Sequence, residues 1–207
     1  MEEIKRIYSM IEGIIEERLK EFKKIGNGSK KEIFAELVFC LLTPQSKART
    51  CWRAVERMLE DGSLLTGSKE EILGNLQGVR FKYKKAEYIM EARKKFLDEN
   101  MGKMVKDFKN PFIAREWLVR NVKGMGYKEA SHFLRNIGKG SNLAILDRHI
   151  LKNLFLLHVI DKIPSSLSRK RYYEIEEKMR KFASSIGIPL SHLDLVLWYK
   201  ETGEVFK

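Results

Sequence analysis

Apolar residues recur at helical spacing along almost the whole chain, and no segment alternates apolar and polar in the manner of a half-buried strand. Ile4, Ile7, Ile11, Ile14, Ile15, Leu19 and Phe22 trace one stripe, which Gly26-Asn27-Gly28 stops. Ser29 then caps a second helix with Ile33, Phe34, Leu37, Val38 and Leu41 inside. Thr43-Pro44-Gln45-Ser46 breaks it, and a third helix runs through Trp52, Val55 and Met58. A basic helix covers about Tyr83 to Leu97, and Asn110-Pro111 opens another, with proline suited to a first turn. Further helices are expected up to Ile137, from Asp147, from Ser168 to Ile186, and from Pro189 through Leu193, Val196, Leu197 and Trp198. The fold class is therefore all-α.

A chain of 207 residues builds one domain or two intimately packed subdomains. We expect a single unit over 1–207: the terminal helices, about 1–40 and 160–207, form one lobe, and about 41–159 the other. A cleft separates the lobes, and a helical hairpin spans 112–137. The formal charge of +12 attracts polyanions, of which nucleic acid is the commonest. Nothing in the first 30 residues resembles a signal peptide, and no stretch is apolar for long enough to cross a bilayer. A cytoplasmic protein without a membrane partner is expected. Cys40 and Cys51 are the only cysteines and are read as packed thiols. Four scattered histidines make no metal site, and no glycine-rich nucleotide motif occurs. Two glutamines against abundant Lys and Glu is a bias of hot habitats.

The chemistry concentrates in Val122-Lys123-Gly124-Met125-Gly126-Tyr127-Lys128-Glu129-Ala130 and in Asp147. Two glycines one residue apart, between amphipathic helices, allow a tight turn whose amides, with those of the next helix N-terminus, can hold a phosphate. Alone, that pattern fits a plain helix–turn–helix equally well. Alone, Lys128 is a solvated lysine, and Asp147 is the N-cap of the helix from Arg148. Together they suggest an amine on a helix's first turn, facing a carboxylate that returns 19 residues later. An amine near a positive helix end and partly desolvated loses its proton more readily, can attack C1′ of a nucleotide and can form a Schiff base. The carboxylate would stabilise the cationic sugar.

Lys123 to Ser131, with Asp147, resembles the helix-hairpin-helix, Gly/Pro-rich-Asp DNA glycosylase superfamily, which includes endonuclease III. There the lysine at the Lys128 position marks bifunctional glycosylase/lyases, and the aspartate matching Asp147 is essential. Lys123 stands where many members have proline. Leu41-Leu42-Thr43-Pro44-Gln45-Ser46 is similar to the superfamily segment whose glutamine enters the duplex, which makes Gln45 the candidate wedge or, alternatively, a polar helix-end residue. Two cysteines cannot hold the [4Fe–4S] cluster of endonuclease III, so no iron–sulfur or other cofactor is expected.

Val79-Arg80-Phe81 with Lys85-Ala86-Glu87-Tyr88, Leu118 to Asn121, Glu129 to Asn136, and Leu193 to Tyr199 with Lys207 narrow the resemblance to the archaeal-type 8-oxoguanine DNA glycosylase/lyases. The chain departs from them at Pro44-Gln45-Ser46-Lys47. Asp194 and Trp198, four apart on one helix, would then bind the base: Trp198 stacks on it, Asp194 accepts from its N–H edge, and Phe81 is the second stacking ring. Without the resemblance, Trp198 and Phe81 are core aromatics. The resemblance also implies that the chain folds back at Lys207 to help recognise the base. Arg80, Lys82, Lys84, Lys85 and Lys123, with the Gly124 and Gly126 amides, are the expected phosphate contacts, although such a charge run also suits a solvated helix face. The expected partner is double-stranded DNA containing an oxidised base, bound by a monomer. Glycosylases for other oxidised bases and a non-catalytic helix-hairpin-helix module remain as alternatives.

Overall fold

The computed structural model describes residues 1–98, 103, 105 and 107–207. Those residues hold helices and no strands. In chain order the helices are α1 (Glu2–Asn27), α2 (Lys30–Leu42), α3 (Ala48–Glu60), α4 (Ser63–Thr66), α5 (Lys69–Asn75), α6 (Lys82–Asp98), α7 (Pro111–Asn121), α8 (Tyr127–Asn136), α9 (Arg148–Leu156), α10 (Arg169–Ile186) and α11 (Leu190–Thr202).

Their ends follow local chemistry. Ser29 and Glu32 satisfy each other's backbone amides in a capping box at the start of α2. The Asn110 carboxamide accepts from the Phe112 and Ile113 amides, with Pro111 at the first helical position of α7. Gly187, at φ 72, closes α10 in the left-handed conformation. Helices α4 and α5 were not anticipated. They are too short to show periodicity, although Ser68 and Glu71 form a capping box that the sequence spells out.

Two hydrophobic clusters organise the fold. One runs from Ile33 to Leu143 and includes Phe206; the other joins Ile4, Ile11 and Ile15 of α1 to residues from Ala144 to Leu197. This corrects the expected lobe limits at both ends. Every residue of α2 from Ile33 to Leu42 is buried, so α2 is the spine of the middle cluster and not part of the terminal one. Helix α9 carries Ile150, Leu151 and Leu154 into the terminal cluster, where it packs on α11. Each such buried Ile, Leu or Phe contributes about 1.5–3 kcal/mol, which is why burial and not chain position sets the division. Helix α8 joins the clusters, packing against α7, α2 and α1. Gly26 permits the closest approach there, because a Cβ on it would lie 2.0 Å from the Ile137 carbonyl oxygen.

Candidate active site

Helices α7 and α8 flank the glycine turn. The Met125 amide donates to the Val122 carbonyl at 3.2 Å, Met125 is buried beneath the turn, and Gly124 takes φ 83. A Cβ at Gly124 would also meet the Tyr88 ring at 2.3 Å, so both conformation and space require glycine. Glu129 reaches back to the Gly126 amide at 3.1 Å and fixes the start of α8. Lys128 is the second residue of that helix. Its side chain is 21% exposed, and its ammonium donates to Thr43 Oγ1 at 3.1 Å and lies 3.2 Å from Glu129 Oε1.

Asp147 is the N-cap of α9, where Oδ1 accepts from the His149 and Ile150 amides, both at 2.8 Å. Among the described residues, its other oxygen takes no protein hydrogen bond, and Asp147 makes no ion pair with Lys128. A shared buried cluster links them instead. Arg115 and Glu176 pair at 2.7 Å with almost no exposure of either side chain. Arg115 also donates to Ser131 Oγ, three residues beyond Lys128 on α8, at 3.0 Å. Glu176 accepts from the Ala144 amide at 2.8 Å, and Tyr172 Oη accepts from the Leu146 amide at 3.3 Å, immediately before Asp147. The amine-bearing helix and the carboxylate-bearing segment therefore hang from one rigid knot, 144 and 146 on one side and 131 on the other. Such an arrangement presents a nucleophile and an anion without cancelling them against each other.

A family model described as "8-oxoguanine DNA glycosylase" matches residues 15–188, most of the chain. The chain belongs to the 8-oxoguanine DNA glycosylase family. It is 51% identical over 211 aligned residues to the 8-oxoguanine DNA glycosylase/AP lyase of Fusobacterium nucleatum, covering 99% of this chain and 96% of that protein. It is 46% identical to the Methanocaldococcus jannaschii protein of the same name, covering 100% and 97%. The crystal structure of the M. jannaschii enzyme with a 15mer DNA containing 8-oxoguanine matches with a TM-score of 0.90 at 44% identity and complete coverage of both chains. The Thermotoga maritima 8-oxoguanine DNA glycosylase matches with a TM-score of 0.90 at 40% identity, covering 100% and 97%.

The other residues proposed from the resemblance to 8-oxoguanine DNA glycosylases are placed unevenly. Trp198 is half-buried and meets His149 edge-on at 5.5 Å, which sets it beside the start of α9 and Asp147. Its indole nitrogen is buried and has no hydrogen-bond partner among the described residues. Asp194 is tied into the core through one oxygen: its Oδ2 is the counter-ion of Arg135 at 2.8 Å, with both side chains almost fully buried. A buried guanidinium must be neutralised, and Asp194 is the carboxylate that does so. Burial pushes the Asp194 carboxyl up to about 6, against the opposing pull of Arg135, while nearby Asp147 adds to the rise. The Lys207 side chain folds inward: its ammonium pairs with buried Glu36 and lies 3.6 Å from the centre of the Trp52 ring. Phe81 is 61% exposed and makes no ring contact with Trp198 among the described residues, so the structure does not assemble the expected sandwich.

Gln45, the candidate wedge, is exposed; of the expected phosphate contacts, Arg80, Lys84, Lys123 and Gly124 are exposed, and Lys82 and Gly126 are half-exposed, the Gly126 amide already donating to Glu129. Lys85 is the exception and requires a correction. It is 4% exposed, because it lies on the inner face of α6 with Ala86, Ile89, Ala92 and Phe96, and its ammonium points into the protein. Sequence reasoning missed Thr43, Glu129 and Arg115, which support Lys128 and Asp147. Glu129 was legible as the third residue of a helix after glycine; Thr43 lies 85 positions from the amine it meets. Among the described residues no cluster of side chains is suited to a metal, and no helix is long and apolar enough to cross a membrane. Cys40 and Cys51 are buried free thiols, and burial pushes Cys51 up to about 11.

Proposed function

We propose that the chain excises 8-oxoguanine from double-stranded DNA and then nicks the strand, acting as a monomer inside the cell. The observation that carries this reading is the partly exposed Lys128 amine on the first turn after the glycine hairpin, anchored through one buried cluster to the free face of the Asp147 carboxylate. The chemistry runs in two steps. The hairpin amide of Gly124, with Lys123, Arg80, Lys82 and Lys84, grips phosphates on either side of the lesion. The damaged nucleotide leaves the stack and its base rests against Trp198. The Lys128 amine, once it has given up a proton, forms a bond to C1′ as the C1′–N9 bond breaks; the electron pair departs with the base, which takes up a proton. Asp147 stabilises the positive charge that develops on the sugar, then carries the proton that the attacking nitrogen gives up. Opening of the ring at O4′ yields the Schiff base between Nζ and C1′. Loss of a C2′ proton from it expels the 3′ phosphate by β-elimination, and water releases Lys128.

The chemistry is tested with duplexes that each carry one defined lesion. Single-turnover incision of the 8-oxoguanine duplex, with oxidised-pyrimidine duplexes cut much more slowly, is the expected result. The opposite ranking would move the chain to another lesion, and binding without incision of any duplex would leave a DNA-gripping module.

A further inference from the structure

Among the described residues three exposed non-glycine positions carry a left-handed backbone, His158 and two that are linked to each other: Gln45 at φ 55, between α2 and α3, and Phe81 at φ 58, just before α6. Non-glycine residues hold that conformation only where their surroundings impose it. One side chain ties the two turns together. The Lys85 ammonium donates to the Leu42 carbonyl at 2.7 Å, the Pro44 carbonyl at 2.7 Å and Ser46 Oγ at 3.1 Å, which ties down three points of the loop that presents Gln45. Ser46 Oγ in turn accepts from the Arg80 amide at 3.0 Å, which ties that loop to the turn that presents Phe81.

Lys85 is an expensive way to hold a loop. Its charge is buried, burial pulls its pKa down, and among the described residues it has no carboxylate partner. A methionine there would continue the apolar stripe of α6 at no desolvation cost. The charge is therefore spent on geometry. What it fixes is the projection of one amide side chain and one aromatic ring, 36 residues apart in sequence, from neighbouring points of the surface. Two rigid side chains of that kind suit a stacked duplex: one fills the space an extruded base leaves, and the other parts the adjacent base step.

We propose that Lys85 is a positioning residue that sets Gln45 and Phe81 as a paired wedge for base extrusion. This rests on the repair-enzyme reading and deepens it. The wedge serves extrusion and not the covalent chemistry, so removing its anchor should separate two reactions of the same amine. Excision of 8-oxoguanine requires a stacked base to be expelled, whereas scission at a preformed abasic site does not.

The test measures both reactions under single turnover for wild type, Lys85→Met, Ser46→Ala and Phe81→Ala, with 2-aminopurine beside the lesion to report unstacking. Lys85→Met should abolish the fluorescence rise and slow excision by about tenfold or more beyond any loss of abasic-site scission, since the loop it holds also carries the Thr43 that meets Lys128. Ser46→Ala, which leaves the core untouched, should show the same selectivity more weakly and stands in if Lys85→Met does not fold. Adding Phe81→Ala to Lys85→Met should slow excision little further, because both remove the same device. Equal losses in the two reactions, or no loss in either, would overturn the role of Lys85. Wild-type protein that does not excise 8-oxoguanine would instead overturn the repair-enzyme reading itself.

Discussion

Replacing Asp194 by Asn tests whether the base pocket or the core owns that carboxylate. The Arg135–Asp194 pair is 2.8 Å long, and its side chains are 5% and 8% exposed. Removing one partner of a buried pair leaves an uncompensated charge and costs about 3–5 kcal/mol. For a chain of this length that lowers Tm by about 6–20 °C. Replacing both, as Arg135→Met with Asp194→Leu, should recover much of the loss, since apolar pairs often match buried ionic ones. The pH dependence follows from the raised carboxyl. Its folded value of about 6 lies above the ordinary 3.8, so the folded protein binds the proton more tightly. Its contribution to stability is therefore complete below about pH 4 and is lost as pH rises through about 6. Asp194→Asn should lack that decline. Chemical denaturation at a series of pH values gives both quantities. At a temperature where the variant is fully folded, excision should fall less than about threefold. A loss of under about 1 kcal/mol in stability, with a hundredfold or greater loss in excision, would refute the reasoning and return Asp194 to the base edge.

Gly124→Ala should weaken binding of undamaged duplex, measured by anisotropy, and cost about 1–3 kcal/mol, because φ 83 and the Tyr88 ring both exclude a side chain. Lys123→Ala should reduce the slope of log affinity against log salt by about 0.9, one phosphate contact, whereas Lys85→Met should leave that slope unchanged because its ammonium never faces DNA. Arg115→Leu should cost about 3–5 kcal/mol by stranding Glu176. It should also reduce lyase activity at temperatures where circular dichroism shows the variant folded, because Ser131 and the Ala144–Leu146 segment lose their common anchor.

Features written within a few residues were legible in the sequence. The glycine turn, Lys128 on the first turn of α8, and Asp147 as an N-cap all depend on local spacing, and the structure places them so. Long-range pairings were not. Arg135 and Asp194 are 59 residues apart, and nothing local says that a helical aspartate four residues before a tryptophan turns inward. Lys85 was half-legible. Its run of basic neighbours suggests a solvated face, yet its spacing to Ile89, Ala92 and Phe96 puts it on the apolar stripe, and periodicity outweighs composition. Ile14 shows the reverse: it was counted in the α1 stripe but is 53% exposed, because α1 is covered along only part of that face. The lobe limits misled because α2 is apolar all round and belongs at the centre, wherever it lies in the chain.

Borohydride reduction during reaction with an 8-oxoguanine duplex reads the central step directly. Wild type should give a covalent protein–DNA adduct that maps to Lys128, and Lys128→Gln should give none while still binding the duplex. An adduct of undiminished yield with Lys128→Gln would contradict the assignment of the nucleophile.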